Sequence, residues 1–185
     1  MNSRTSFLKS FLFAAVAAIA LAGVRPALAQ NEALRADAAA ALTHLYATSP
    51  SAKSLGESAV GVLVFPSVTR LGFIVGAQGG DGVLYQKGKV AGYYNTGAMS
   101  VGLQAGIQSY GYALFFMRDE DLKYLKSTKG WSIGTGPTIV IADAGAAKDV
   151  STLTGQQGVY GFIFDQKGLM AGIALTGQKI TKVKR

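Results

Sequence analysis

"LGFIVGAQGGDGVLYQKGK", residues Leu71 to Lys89, crowds glycines between two apolar runs and closes on lysines. A glycine-rich turn after a strand can cradle a phosphate, or it can let chain segments pass closely. The spacing here is Gly76-x-x-Gly79-Gly80-x-Gly82. That is not G-x-G-x-x-G, and a second strand pattern follows where a dinucleotide fold needs a helix. Gly88-Lys89 is followed by Val90 rather than Ser or Thr, so a P-loop is also excluded. Glycine supplies positive φ in hairpin loops, and Asp81-Gly82 is a common turn pair. The stretch therefore predicts two strands joined by a glycine-rich turn.

Outward from it, the pattern remains strand-like from Val60 onward, with short β-branched and aromatic runs punctuated by glycine. Strands are expected near Val60–Phe65, Leu71–Ala77, Gly82–Gln86, Val90–Thr96, Ala98–Ser109, Tyr112–Met117, Thr138–Ala142, Tyr160–Asp165 and Leu169–Thr176. In "GLQAGIQSYG", Gly102, Gln104, Gly106 and Gln108 alternate with Leu103, Ala105 and Ile107, as the two faces of a strand do. Glycine weakens a strand unless a close approach or a bend requires it. Its repeated use implies strong curvature.

Three segments read as helix. Asn31–Thr48 carries Leu34, Ala38, Leu42 and Leu45 at helical spacing, with Asn31 as cap and "SPS" as its end. "AKSLGESA" gives a short second helix. In "RDEDLKYLKSTKG", acids at the start and lysines at the end complement the helix dipole, and Gly130 stops it. The fold class expected is α+β. A strongly curved antiparallel sheet, or a small barrel or sandwich, carries an N-terminal helix and one or two further helices.

"QKGKVAGYYNTG" at Gln86–Gly97 recurs as "QKGLMAGIALTG" at Gln166–Gly177, matching at seven of twelve positions. With Asp165 ahead of the second copy, two equivalent hairpins are expected. The echo fades outside this window, so no full repeat is implied.

The first residues read as a secretory leader. Arg4 and Lys9 precede an apolar run, Phe11–Gly23, too short to span a bilayer, and "ALAQ" places Ala27 and Ala29 at signal-peptidase spacing. Cleavage after Ala29 leaves Gln30–Arg185, sufficient for one domain with a sizeable core. Loss of Arg4, Lys9 and Arg25 lowers the net charge from +8 to +5. This modest excess serves solubility or attraction to anionic lipid. The organisation expected is a leader at 1–29, an N-terminal helix at 30–51, and a β-rich remainder at 52–185 within the same globular unit. The location expected is periplasmic or secreted.

Catalytic chemistry finds little support. The absence of cysteine excludes disulfides, thiolate metal sites, a cysteine nucleophile and a lipoprotein anchor. "GWSIG" matches the G-x-S-x-G elbow at Ser132, but the lone histidine, His44, precedes it on a helix, and the context is helix–turn–strand. His44 itself reads as a half-buried helix residue. Asp81, Asp143, Asp149 and Asp165 read as turn residues, with no paired-carboxylate motif and no metal-ligand cluster. The sequence predicts no enzyme activity, no metal and no cofactor. Nucleic acid would need a denser basic stripe, and an outer-membrane barrel would need longer alternating strands.

Several segments in order resemble the SYLF domain family: "GVLVFPSVTRLGFIVGAQGGDGVLYQKGKVAGYYNTG", "SVGLQAGIQSYGYALFFM", "KGWSIG" and "GFIFDQKGLMAGIALTGQKI", covering roughly Ala52 to Lys182. The resemblance implies a non-enzymatic module that binds anionic lipids, phosphoinositides in eukaryotes. Some members bind and bundle actin, often beside an SH3 or FYVE domain. This chain departs in having a leader, no partner domain and no amphipathic membrane helix after cleavage. An exported protein would meet neither actin nor phosphoinositides. An anionic lipid or membrane surface is the partner expected, with Lys87, Lys89, Lys167, Lys179 and Lys182 as headgroup contacts. The alternatives are docking onto an envelope protein, or carriage of a small apolar ligand.

Overall fold

The computed structural model describes residues 29–72, 75–101, 106–127, 130–137, 139–143, 158–168, 175 and 177–185. The expected leader lies outside them, as does nearly all of the strand expected at Leu169–Thr176. Helix α1 spans 29–48 and so begins ahead of its expected cap, Asn31. Helix α2 is Pro50–Ser58; Ser49 caps it by accepting from the Ala52 amide at 3.3 Å, with Pro50 in the first turn. Strands β1 (Gly61–Gly72), β2 (Val75–Gln86), β3 (Lys89–Val101) and β4 (Gly106–Phe116) precede helix α3 (Asp119–Ser127). Strands β5 (Trp131–Ser132), β6 (Ile139–Asp143), β7 (Val159–Gly168) and β8 (Lys179–Val183) complete the chain.

One sheet holds all eight strands in the order β5-β8-β3-β2-β1-β4-β7-β6. Seven pair antiparallel in a strongly curled half-barrel, the α+β architecture expected from the sequence. Strand β6 departs from it, lying parallel to β7 at the edge.

The first half of β1 reads "GVLVF" with every residue buried, because both faces there are covered. Leu63 and Phe65 point into a concave-side core with Tyr112, Leu114, Phe116, Trp131 and, from α3, Leu122 and Leu125. Val62 and Val64 point to the convex side, against Ala38, Ala41 and Leu45 of α1 and Ala52 and Leu55 of α2. Beyond Pro66 the burial alternates, since only the concave face remains covered.

The structure corrects the reading of the glycine cluster. β1 and β2 reverse between Gly72 and Val75, and Gly76, Gly79, Gly80 and Gly82 lie inside β2, paired on both sides. What they provide is close approach. β1 carries one extra residue at Pro66–Ser67, shown by register shifts against both β2 and β4. Proline offers no amide to the ladder, so the bulge falls where it costs least. The bulge drives β1 onto β2: a Cβ at Gly82 would lie 2.6 Å from the Phe65 ring, and one at Gly80 would lie 2.4 Å from the Ser67 carbonyl. The strands are consequently longer than the sequence pattern implies, β1 to β4 running 11 to 13 residues.

The two echoed segments are also not equivalent. Gln86-Lys87-Gly88-Lys89 is a tight hairpin with positive φ at Lys87 (50°) and Gly88 (73°), as a type I′ turn requires. Gln166-Lys167-Gly168 instead continues β7. Asp165, at φ 53°, forms a bulge there with Gln166, facing Tyr110 alone on β4.

Replacing Gly82 with alanine is expected to lower unfolding stability by about 1–3 kcal/mol through overpacking against Phe65. Gly79→Ala, where the nearest atom is the Thr96 carbonyl at 3.5 Å, is expected to be near neutral. Urea titration of both variants checks the difference.

Candidate functional site

The helices cover only part of the convex face. α1 and α2 sit over Val62, Val64, Val83, Tyr93, Ala113, Phe115, Phe162 and Phe164. The boundary is pinned at Tyr93, whose ring lies under the guanidinium carbons of Arg35 at 5.5 Å and Arg185 at 5.9 Å. Arg35 also donates to the Tyr93 hydroxyl, and Arg185 pairs with Asp81. Asp81 is thus a strand residue in an ion pair rather than a turn residue.

Past this boundary the pairing registers define two rows on the convex side, where none of the described helices covers the sheet. The first runs Lys167–Ser109–Thr69–Gly79–Gly97–Lys179 across β7, β4, β1, β2, β3 and β8. The second runs Ile107–Leu71–Ala77–Met99 across β4, β1, β2 and β3. All four members of the second row are exposed, with Met99 at 82%, Ile107 at 68% and Leu71 at 50%. Three strand spacings make this apolar row roughly 14 Å long, and the lysines of the first row stand roughly 24 Å apart along the curve. Neither row contains a carboxylate. The apolar side chains of this row are contiguous, unlike apolar residues scattered singly over a surface.

Of the five lysines expected to contact headgroups, the structure brings Lys167 and Lys179 into one row beside the apolar residues. Lys87 and Lys89 sit together on the β2–β3 hairpin, roughly 23 Å away along the strand. Lys182 pairs with Tyr94 in register and so belongs to the concave side. Leu71, Ala77, Met99 and Ile107 were invisible in the sequence as a group, because placing them side by side requires knowing where β1 turns into β2.

Lys179 owes its position to a buried polar relay behind β8. The Tyr112 hydroxyl donates to Thr96 Oγ1 at 2.8 Å, Thr96 donates to Gln178 Oε1 at 2.8 Å, and Gln178 Nε2 donates to the Tyr110 hydroxyl at 3.0 Å. Tyr110 then donates to Gln78 Oε1 at 3.2 Å. Thr96 and Gln178 are fully buried, so each depends on the others for its hydrogen bonds. Burial pushes the Tyr112 hydroxyl well above its ordinary value, and pushes Tyr94 up to about 12.

A second feature is a groove of about 790 Å³ lined by α1, the end of α2 and the β2–β3 hairpin, including Leu42, Tyr46, Val62, Tyr85 and Lys87. Its charged lining mixes Glu57 and Asp119 with Lys87. His44, expected to be half-buried, is exposed and lies 3.4 Å from Asp165. Ser132 lies on β5, at the opposite side of the sheet order from β7. Among the described residues no group of acidic residues and histidine could hold a metal, and no helix is long and apolar enough to cross a membrane.

Residues 97–185, from the second half of β3 to the end of β8 and beyond, match the family model described as "Ysc84: Las17-binding protein actin regulator". Over that stretch the chain matches the Ysc84 family, the SYLF family of the sequence resemblance. No curated protein matches the chain. The part matched to the Ysc84 family contains Met99, Ile107, Lys167, Lys179 and the Thr96 partner Gln178, while Leu71 and Ala77 lie ahead of it. The family is generally non-catalytic.

Thr96→Val strands the Tyr112 hydroxyl and Gln178, and is expected to cost about 1–3 kcal/mol of stability, with Thr96→Ser milder. The tyrosines also predict alkaline sensitivity. Their folded values are raised, so the unfolded chain loses its phenolic protons first. Stability is complete below about pH 10 and falls as pH rises towards about 12. Urea midpoints across the alkaline range, with tyrosinate absorbance, check both expectations.

Proposed function

We propose that this protein is a non-catalytic module of the bacterial cell envelope that attaches reversibly to anionic membrane through the bare convex end of its sheet. The observation that carries the reading is the exposed row Ile107–Leu71–Ala77–Met99 lying beside a row that ends in Lys167 and Lys179. Burying an exposed side chain of this size gives about 1.5–3 kcal/mol, and each lysine near an anionic surface adds about 1 kcal/mol. The total suits reversible attachment rather than insertion.

The location rests on the leader expected at the N-terminus, which directs the chain to the periplasm or outside. The family description names Las17 and actin regulation. In an exported chain, lipid is the partner of this surface and actin is not. The concave side is filled by aromatic and aliphatic side chains, so carriage of an apolar ligand inside the half-barrel is the weaker reading.

Co-sedimentation with phosphatidylglycerol vesicles tests the proposal. Binding is expected at low ionic strength, weakened by salt and by Lys167→Gln with Lys179→Gln. Ile107→Ser is expected to reduce it severalfold without loss of fold. Failure of the wild-type protein to bind at low salt, together with capture of one stoichiometric envelope protein, would overturn it.

A further inference from the structure

We infer that Met99 is a reversible oxidation site that controls attachment of the convex face. The inference rests on the membrane reading above. Met99 is the most exposed large apolar side chain among the described residues, and it forms the β3 end of the apolar row, opposite Ala77. The chain contains no cysteine and four methionines, so no thiol competes for an oxidant. Met1 belongs to the expected leader, Met170 lies outside the described residues, and Met117 is partly buried against the helix-side core. The most accessible thioether in the described structure is therefore placed within the contact surface itself.

The oxidant is hydrogen peroxide. The Met99 sulfur attacks one peroxide oxygen, an S–O bond forms as the O–O bond breaks, and the departing hydroxide takes the proton of the transferred hydroxyl and leaves as water. Sulfur loses two electrons and the peroxide gains them. The product sulfoxide is strongly polar. It puts a group that holds water at the end of a row whose other members, Ala77, Leu71 and Ile107, have no polar side-chain atoms. Methionine sulfoxide reductases reverse the change, so the same surface can be released and restored without new synthesis.

The mature protein is treated with hydrogen peroxide, the sites of added oxygen are mapped by peptide mass spectrometry, and binding to phosphatidylglycerol vesicles is measured. Met99 is expected to oxidise before Met117, and vesicle affinity to fall about tenfold. Methionine sulfoxide reductase is expected to restore it, and the affinity of Met99→Leu, whatever its level before treatment, is expected not to change with peroxide. Binding that survives complete Met99 oxidation overturns this inference and leaves the membrane reading standing, as does oxidation of Met117 with Met99 untouched. If the untreated protein does not bind vesicles at all, both fall together.

Discussion

The Phe65 ring resting on the bare backbone of Gly82 is the contact on which the rest of this fold depends. It exists because Pro66 and Ser67 add one residue to β1, pushing that strand against β2 at the point where β2 carries no side chain. Phe65 then stacks on Tyr112 of β4 at 4.6 Å between ring centres, which continues the bend into the third strand. Curvature brings Leu122, Leu125 and Trp131 within reach of Leu63 and Phe116.

The bend also divides the central strands. Ahead of the bulge, β1 is buried on both faces; after it, only the concave face stays covered. Among the described residues nothing covers the convex side from Thr69 outward, because the helices end their coverage at Tyr93, where Arg35 and Arg185 close the margin. Rigidity behind that bare surface comes from the Tyr112–Thr96–Gln178–Tyr110 relay, which ties β8 to β3 and β4 and so fixes Lys179 relative to Met99.

Much of this was legible in the sequence, for physical reasons that differ by element. The helices announced themselves through periodicity and caps: Ser49 and Pro50 start α2, and the acids of α3 stand at its N-terminal end. The frequency of glycine within strands implied the curvature, which the structure shows at Gly80 and Gly82, while Gly102 to Ala105 of the quoted alternation lie outside the described residues. The position of the first reversal was hidden because "GFIV" contains no Asn, Asp or Pro to mark a turn, while "GGDG" carries strong turn chemistry and lies within a strand. Its glycines answer to a neighbouring strand, and that demand is not local. Asp165 deceived in the same way: its left-handed conformation is real, but it serves a bulge and not a hairpin. The lysines could be picked out as charges, but only the registers separate Lys167 and Lys179 from the hairpin pair and from Lys182. The apolar row could not be assembled without those registers.

A single strand that is core at one end and surface at the other has an evolutionary consequence. Substitutions in "GVLVF" must satisfy packing on two sides, so that half of β1 is confined to a few side chains of suitable volume. Beyond Thr69, every second position answers only to whatever the convex face meets. Descendants of this scaffold can therefore vary Leu71, Ala77, Met99 and Ile107 while inheriting the bend, the helices and the relay unaltered.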